Sequence, residues 1–390
     1  KKVKKPTLAP FYMLMFTEVM AANMVHPVTP SFLTALGMPD QMFGVAFAAM
    51  SLTNFWLCPF WGRVGDLYSR VKTMSLTIVL YAVGQFLFLR STTAWQILLA
   101  RLFSGAFSGG TTVCLMAYGA DAVGEEHCGR QMAICAAMTS AGTAAGYLVG
   151  GVLGDISVET AFLWQIALLV LSALGMLLFL KDGACYHRSS GGLLASLNPL
   201  CPFRRQSVFF SSAAVVFLLS VFLACFASTA YDNAFNYYLK AQFHFPPSYN
   251  GCIYAAVGIV GLAFNMTAGL ELQRRTNCLT PLIVLFFVAF LTLVASLFTH
   301  SAVAYVCVNM LFYLCNSTYL PLQQALAMRQ CRAEHGTVSG IFSSIRAMGM
   351  VTGSLSAGFL YARAPLLPMG VCAVLFLLTA LCTWVNLRKL

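Results

Sequence analysis

The stretch GRVGDLYSRVK at residues 62–72 is a short charged segment between two long apolar runs. These runs cover about residues 41–62 and 73–91. Each is long enough to cross a bilayer, because a helix needs roughly 20 apolar residues to span the hydrocarbon core. Four of the eleven residues carry a charge, which favours a position at the membrane surface. The stretch therefore predicts two transmembrane helices joined by a short loop.

The same alternation of apolar runs and polar loops continues along all 390 residues. With 59% hydrophobic and only 9% charged residues, the chain cannot be a soluble globule. The apolar runs are continuous rather than alternating, which excludes a β-barrel. The sequence predicts an all-α membrane protein with twelve spans, at about residues 8–34, 41–62, 73–91, 95–118, 131–154, 158–180, 208–232, 250–271, 278–298, 302–327, 337–361 and 365–387.

Six glycines recur at a constant offset of 207 residues, as from Gly44 to Gly251. The other five pairs are Gly62 with Gly269, Gly129 with Gly336, Gly142 with Gly349, Gly146 with Gly353, and Gly151 with Gly358. The pattern predicts two six-helix bundles related by pseudo-symmetry, at residues 1–180 and 208–390. The Gly- and Pro-containing segment 181–207 is then the linker between them. Parallel repeats of this kind place a substrate site near the bilayer midplane in many secondary transporters.

The basic residues predict the orientation of the chain. Of the 23 lysines and arginines, Arg101 and Arg346 lie within spans, and Arg90, Lys240 and Arg363 lie on one side of the membrane. The remaining eighteen lie on the other side, so this side is predicted to be cytoplasmic and to hold both termini. The formal charge of +11 then reflects topology and contact with anionic lipids, not nucleic-acid binding.

Enzyme classes find no support in the sequence. It contains no HExxH, GxSxG or GxxxxGK[ST] pattern, which argues against metalloprotease, serine hydrolase and ATP-driven activities. The fourteen cysteines have no metal-ligand spacing, and most lie within the spans, where small apolar packing is their expected role. No metal or organic cofactor is predicted.

The segment 62–72 resembles the loop motif of the major facilitator superfamily, in which a glycine is followed by an acid and then an arginine at steps of four. Gly62, Asp66 and Arg70 match this pattern, whereas three residues depart from it: Leu67, Ser69 and Val71. The resemblance implies that Arg70 pairs with Asp121 and that Asp66 lies near Gly336 and Gly340. Such a cluster would form a cytoplasmic gate, since a carboxylate is favoured at a helix N-terminus; the alternative is a loop charge pair without a gating role.

Spans four and five extend the resemblance. Arg101 and Gly105 match the arginine and glycine of the family's fourth helix, and Arg101 is either a functional group or part of a structural ion pair. Span five carries the glycines of the family's antiporter motif, with Tyr147 where a proline is usual. These glycines predict close helix packing, either as an antiporter signature or as a common packing device: Gly142, Gly146, Gly150 and Gly151.

Glu18 is the strongest candidate for proton coupling. It lies near the predicted midplane of span one, twelve residues before Pro30, a spacing found in some drug/proton antiporters of the family. Desolvation favours the neutral form of a carboxyl group, so Glu18 can bind a proton and release it when a cation or water arrives. The alternative is a neutral glutamic acid that serves packing alone.

Other polar residues within spans are candidates for a ligand site. Asp232, a second proton-coupling candidate, and Asn236 lie at the predicted end of span seven, where they form either an outer vestibule or the start of a solvated loop. Arg346 is either an anchor for a carboxylate or phosphate or an internal partner of Glu18 or Asp232. His26 is either a proton relay or a wall residue. The remaining candidates are Asn23, Asn316, Tyr319 and Gln323.

These features predict a proton-coupled transporter that works by alternating access as a single chain in the cell membrane. Its partners would be a small-molecule substrate, protons and lipids, with the proton gradient as driving force. Efflux of amphipathic compounds is the leading interpretation. Two alternatives are open: uptake or exchange of a small organic anion bound by Arg346, and a non-transporting sensor or scaffold with the same fold.

Overall fold

The computed structural model describes residues 8–122, 128–181, 212–264, 267, 271–272, 279–299, 301–330 and 335–389. Regular secondary structure in these residues is helical. We number the helices in chain order: α1 (Ala9–Asn23), α2 (Thr29–Ala35), α3 (Gln41–Leu67), α4 (Arg70–Leu89), α5 (Ala94–Asp121), α6 (Cys128–Ile156), α7 (Val158–Phe179), α8 (Ser212–Phe243), α9 (Pro247–Phe264), α10 (Leu279–Leu297), α11 (Ala302–Gln330), α12 (His335–Arg363) and α13 (Leu367–Lys389).

Ten of the described helices are long and apolar enough to cross a membrane. Their outward faces carry large apolar side chains that water would not tolerate in such number, for example Trp95 at 74% exposure and Leu178 at 77%. A lipid environment accounts for these faces, because helices satisfy their own backbone groups and can expose apolar side chains to hydrocarbon. The chain is a multi-pass membrane protein.

The first span, predicted as a single helix at about residues 8–34, is not one continuous helix. The helix is interrupted between α1 and α2, at residues 24–28. Pro27 has no backbone N–H and disfavours the helical conformation of the residue before it. The His26 amide therefore donates to the Asn23 carbonyl (3.3 Å), a bond of the 3₁₀ type, instead of to the Ala22 carbonyl. Span one consists of two helical pieces.

Span seven was predicted to end at residue 232, and this boundary was wrong. Helix α8 continues to Phe243, so Asp232 and Asn236 lie inside a helix, and Asn236 is only 7% exposed. The interpretation of these residues as the start of a solvated loop is therefore excluded. Buried residues beyond Asp232, such as Phe235, Tyr237 and Leu239, explain the longer helix, since they continue its packed face past the first polar residues.

By packing, the chain forms two compact units. The first unit contains Lys1–Thr29, Thr53–Pro199 and Pro247–Ala255; the second contains Pro30–Leu52, Leu200–Pro246 and Ala256–Leu390. Each unit thus includes a short segment from the other half of the sequence. The predicted linker, residues 181–207, lies outside the described residues except for Lys181, as does the segment 1–7.

Glycines of the 207-residue repeat lie at equivalent helix crossings in the two units. In the second unit, a Cβ atom added to Gly44 would lie 2.6 Å from the backbone nitrogen of Gly358. In the first unit, a Cβ atom added to Gly151 would lie 3.1 Å from the Cα atom of Gly251. Gly44 and Gly251 are repeat partners, and so are Gly151 and Gly358, which means that the same crossing occurs twice.

Candidate functional site

A cluster of polar side chains lies in the interior of the first unit. Glu18 contributes a carboxyl group from α1 and is only 6% exposed. Within the described part of the chain, no hydrogen bond or ion pair to this carboxyl group is found. A carboxyl group within a membrane span is costly, so a group of this kind without a protein partner is suited to bind a proton, water or a ligand.

Tyr81 and Gln165 approach α1 just after Glu18. The Tyr81 hydroxyl on α4 lies 3.5 Å from the Ala22 carbonyl, and the Gln165 amide on α7 donates to the same carbonyl at 3.3 Å. The Tyr81 hydroxyl also lies close enough to Glu18 and to Arg101 for electrostatic interaction. Four helices, α1, α4, α5 and α7, therefore converge on one polar cluster.

Arg101 on α5 is fixed by contacts within the first unit. Its guanidinium carbon lies 3.7 Å from the centre of the Phe88 ring, a cation–π geometry, and its Nη2 atom lies 3.5 Å from the Thr29 hydroxyl. The side chain is only 4% exposed. Further along the same face of α5, Ser108 accepts a hydrogen bond from Asn54 at 3.1 Å. Much of this face is therefore occupied by helix packing.

His26 and Asn23 lie at the break in span one. The His26 ring stacks on Tyr147 at 5.6 Å, and Tyr147 stacks on Tyr254 at 4.6 Å. The Asn23 amide donates to the Val19 carbonyl at 2.8 Å and lies 3.4 Å from the Thr143 hydroxyl. Both residues thus connect the end of α1 to α6.

The span-five glycines lie where α6 crosses α1. A Cβ atom added to Gly142 would lie 3.0 Å from Val19, and one added to Gly146 would lie 3.0 Å from the Cβ atom of Asn23. A Cβ atom added to Gly150 would collide with the backbone of Met24. The predicted close packing is present, and it brings α6 against the helix that carries Glu18.

The second unit contains its own polar groups. The Asp232 carboxyl group on α8 lies within hydrogen-bonding reach of the Tyr313 hydroxyl on α11. Arg346 on α12 is half-buried and lies beside the Cys225 thiol. In the described residues no ion pair joins Arg346 to Asp232, and the Arg346 Nε atom has no acceptor. The internal Asp232–Arg346 pair that the sequence left open is not formed.

Helix α11 presents three further candidates on one face. The side-chain amide oxygen of Asn316 accepts a hydrogen bond from the Ser228 hydroxyl at 2.7 Å, and the Tyr319 hydroxyl lies 3.4 Å from the Ala224 backbone carbonyl. Gln323 is 1% exposed, yet neither atom of its amide has a hydrogen-bond partner among the described residues. Buried polar groups are almost always satisfied, so Gln323 is a place where water or ligand can bind.

The charged segment 62–72 forms a compact ion cluster. Arg70, the first residue of α4, pairs with Asp66 at 2.9 Å, forms an ion pair with Asp121 and donates to the Ala117 carbonyl at 2.5 Å. The pairing with Asp121 is the one that the sequence predicted. Gly62 lies against α5, where an added Cβ atom would be 3.0 Å from Val113.

Ser69 departs from the family pattern for a local reason. Its hydroxyl accepts a hydrogen bond from the Lys72 amide at 3.0 Å, so it caps the N-terminus of α4. The predicted position of Asp66 near Gly336 and Gly340 stays a prediction, because the structure describes only the backbone at these two glycines.

Three residues of the first-unit interior were missed by sequence reasoning: Tyr81, Gln85 and Gln165. Both glutamines are 1% exposed, and they lie in spans that are otherwise apolar. Gln85 has no hydrogen-bond partner for either amide atom among the described residues. A glutamine inside an apolar span was the available signal, since polar side chains there are costly.

Comparison with known proteins identifies the class. The family profile of the Major Facilitator Superfamily matches residues 11–354 and, in a second match, residues 217–389. The chain belongs to this superfamily, whose members are transporters and not enzymes. The twelve-span architecture, with α1 and α2 as one span, is that of the family.

Individual relatives are distant but similar over nearly their whole length. Multidrug resistance protein 2 of Bacillus subtilis (strain 168) is 21% identical over 358 residues, which cover 89% of this chain and 86% of the relative. The quinolone resistance protein NorA of Staphylococcus aureus (strain Mu50) is 19% identical over 350 residues, with 90% and 88% covered. The crystal structure of the human organic anion transporter MFSD10 (TETRAN) superposes with a TM-score of 0.69 at 18% identity, with 96% and 98% covered.

Proposed function

We propose that this transporter exports amphipathic small molecules in exchange for protons, with Glu18 as the group that carries the proton. The single observation behind the proposal is that Glu18 is buried inside the first unit without a hydrogen bond or ion pair to its carboxyl group among the described residues. A structural carboxyl group would be expected to have partners, because burial without them is costly.

The exchange follows from the chemistry of a desolvated carboxyl group. Its neutral form is stable in an apolar surrounding, whereas its anionic form is stabilised by a cationic ligand or by water. Substrate and proton therefore compete for Glu18, and each displaces the other. Asp232, a second carboxyl group inside a helix, is a further site for a proton in the opposite unit.

Other polar side chains contribute to substrate binding in this proposal. Gln323 has an unsatisfied amide and shares a face of α11 with Asn316 and Tyr319. Asn236 on α8 extends the polar surface of the second unit. In the first unit, Asn23, His26 and Arg101 surround the break in span one and shape the site around Glu18.

Alternating access completes the cycle. We assign both termini and the Arg70 cluster to the cytoplasmic side of the cell membrane, from the distribution of basic residues. The ion cluster of Asp66, Arg70 and Asp121 then acts as a cytoplasmic gate. The transporter works as a single chain and uses the proton gradient as its energy source. The names of two relatives, a multidrug resistance protein and a quinolone resistance protein, support efflux.

A second candidate function is uptake or exchange of a small organic anion. Arg346 favours it, because this half-buried arginine has no ion pair among the described residues. A guanidinium group suits the planar geometry of a carboxylate or the oxygens of a phosphate. The structurally similar MFSD10 is described as an organic anion transporter, which is consistent with this alternative.

A thermal-shift screen of the detergent-solubilised protein separates the two candidates. Lipophilic cations and small carboxylates are tested on the wild type, Glu18→Gln and Arg346→Ala. Efflux predicts stabilisation by lipophilic cations that weakens at low pH and is lost in Glu18→Gln. Stabilisation by carboxylates that is lost only in Arg346→Ala would replace the exporter with the anion carrier.

A further inference from the structure

The break in span one leaves a backbone carbonyl without its helical partner. In a continuous helix the Ala22 carbonyl would accept from the His26 amide, but that amide donates to Asn23 instead. Pro27 causes this change, since it cannot donate a hydrogen bond. Inside a membrane an unsatisfied carbonyl is costly, so other groups must replace the lost donor.

Two side chains from other helices replace it. The Tyr81 hydroxyl on α4 and the Gln165 amide on α7 both point to the Ala22 carbonyl, at 3.5 and 3.3 Å. Tyr81 is 4% exposed and Gln165 is 1% exposed, so bulk water does not compete for either hydrogen bond to the carbonyl. We call this three-residue arrangement the carbonyl clamp. It attaches the free end of α1 to two neighbouring helices.

The clamp lies one helical turn beyond Glu18. Residues four apart share a face of a helix, so Glu18 and Ala22 are neighbours along α1. The titratable groups in electrostatic reach of Tyr81 are Glu18 itself and Arg101. The neighbouring elements contribute two further residues. His26 lies in the break of span one and stacks on Tyr147 of α6, and Gln165 of α7 is uncharged.

We propose that Tyr81 and Gln165 are positioning residues for proton transfer, which hold the end of α1 so that Glu18 keeps its place inside the first unit. This inference rests on the proposed role of Glu18 as the proton carrier. The Gln165 amide nitrogen donates to the Ala22 carbonyl, and the Gln165 side chain also lies within hydrogen-bonding reach of the Tyr81 hydroxyl. The oxygen atom of the same amide has no hydrogen bond among the described residues, so these two contacts within the clamp account for the buried amide.

The test measures the reactivity of Glu18 directly. Dicyclohexylcarbodiimide, an apolar reagent that modifies protonated carboxyl groups in membranes, is applied to the full-length protein in liposomes at one pH. Mass spectrometry then gives the labelling rate of Glu18, with Asp232 in the other unit as internal reference. The variants are Tyr81→Phe and Gln165→Leu. Tyr305→Phe is the matched control, since it removes another buried hydroxyl with a 3.5 Å contact, to the sulfur of Met369.

The clamp predicts a rise of about threefold to tenfold in Glu18 labelling in both variants, the population change expected for the loss of one neutral hydrogen bond. Asp232 labelling and the Tyr305→Phe control stay at the wild-type rate, and proton-driven transport falls in both clamp variants. Unchanged Glu18 labelling, or an equal rise at Asp232, would overturn the inference.

Failure of the proposed function has a different signature. A wild type without proton-driven transport would refute the proton carrier, whereas the labelling rates would still decide whether the clamp holds Glu18.

Discussion

The Tyr237 hydroxyl donates a hydrogen bond of 2.6 Å to the carboxylate of Asp40, a residue 197 positions earlier in the chain. Both residues belong to the second unit. The Tyr237 ring also stacks on Phe43 at 4.5 Å, and Tyr361 meets both rings edge-on. The beginning of α3 is thereby fixed to α8 and α12.

Removal of this hydroxyl is expected to destabilise the second unit. Hydrogen bonds to charged groups contribute about 1.5–3 kcal/mol, and the partial burial of this pair places it at the lower end of the range. Tyr237→Phe should therefore lower the thermal unfolding temperature in detergent by a few degrees. Tyr68→Phe, at a tyrosine that is 70% exposed, is the control and should not change it. Equal unfolding temperatures for both variants would contradict this expectation.

Arg70→Lys tests the proposed cytoplasmic gate. The ion pairs of Arg70 are partly exposed, with 21% exposure for Arg70 and about 40% for its two acids, so each contributes about 0–1 kcal/mol to stability. Lysine keeps the charge but cannot bridge two carboxylates and a carbonyl at once. We expect near-normal stability with transport reduced several-fold. Lys72→Gln removes a neighbouring charge and should leave transport intact; similar losses in both variants would refute a specific gate.

Gly146→Ala tests the crossing of α6 and α1. The added methyl group would collide with the backbone carbonyl of Met20, which cannot rotate away as a side chain can. Overpacking of this kind costs about 1–3 kcal/mol. Gly370→Ala is the matched control, because this glycine of α13 has no atom within 4 Å of an added Cβ atom. It should stabilise by up to about 1 kcal/mol through helix propensity. Thermal unfolding should show a lower unfolding temperature than the wild type for Gly146→Ala and a slightly higher one for Gly370→Ala.

Gln323→Leu separates binding from folding. The buried amide of Gln323 has no hydrogen-bond partner among the described residues, and an unsatisfied buried group costs about 1–3 kcal/mol. Leucine has a similar size without that cost, so the variant should unfold at a higher temperature than the wild type. Transport should fall, because the polar group is expected to contact substrate. Thr292→Val changes a buried hydroxyl that bonds to Ala289 within its own helix, and it should leave transport unchanged.

The span pattern and the family could be predicted from the sequence because both depend on local features. Apolar runs of about 20 residues specify membrane helices wherever they occur. The Arg70–Asp121 pair was also predictable, since the loop motif fixes one residue and the end of α5 offers a single nearby acid. Two pairs of the 207-residue repeat, Gly44 with Gly251 and Gly151 with Gly358, also lie at close helix crossings, a contact that the repeat alone did not predict.

The errors arose where tertiary contacts decide the structure. Hydropathy does not distinguish a continuous span from one that Pro27 interrupts, because the residues around the break are as apolar as those before it. Helix α8 extends past residue 232 because aromatic packing around Phe235 continues there, whereas hydropathy ends the span before that residue. The roles of Tyr81 and Gln165 could not be predicted, because they depend on the packing of α4 and α7 beside the Ala22 carbonyl.

Transport by the purified protein in liposomes tests the central claim most directly. Liposomes with an acidic lumen are diluted into an alkaline buffer that contains a fluorescent lipophilic cation. The uptake of this cation into the lumen is then followed by its fluorescence. Proton-coupled exchange predicts accumulation in the wild type that a protonophore abolishes. Glu18→Gln should neither bind nor accumulate the cation, since glutamine carries no negative charge and cannot release a proton. Accumulation by Glu18→Gln equal to that of the wild type, or no response of the wild type to the pH gradient, would contradict the account.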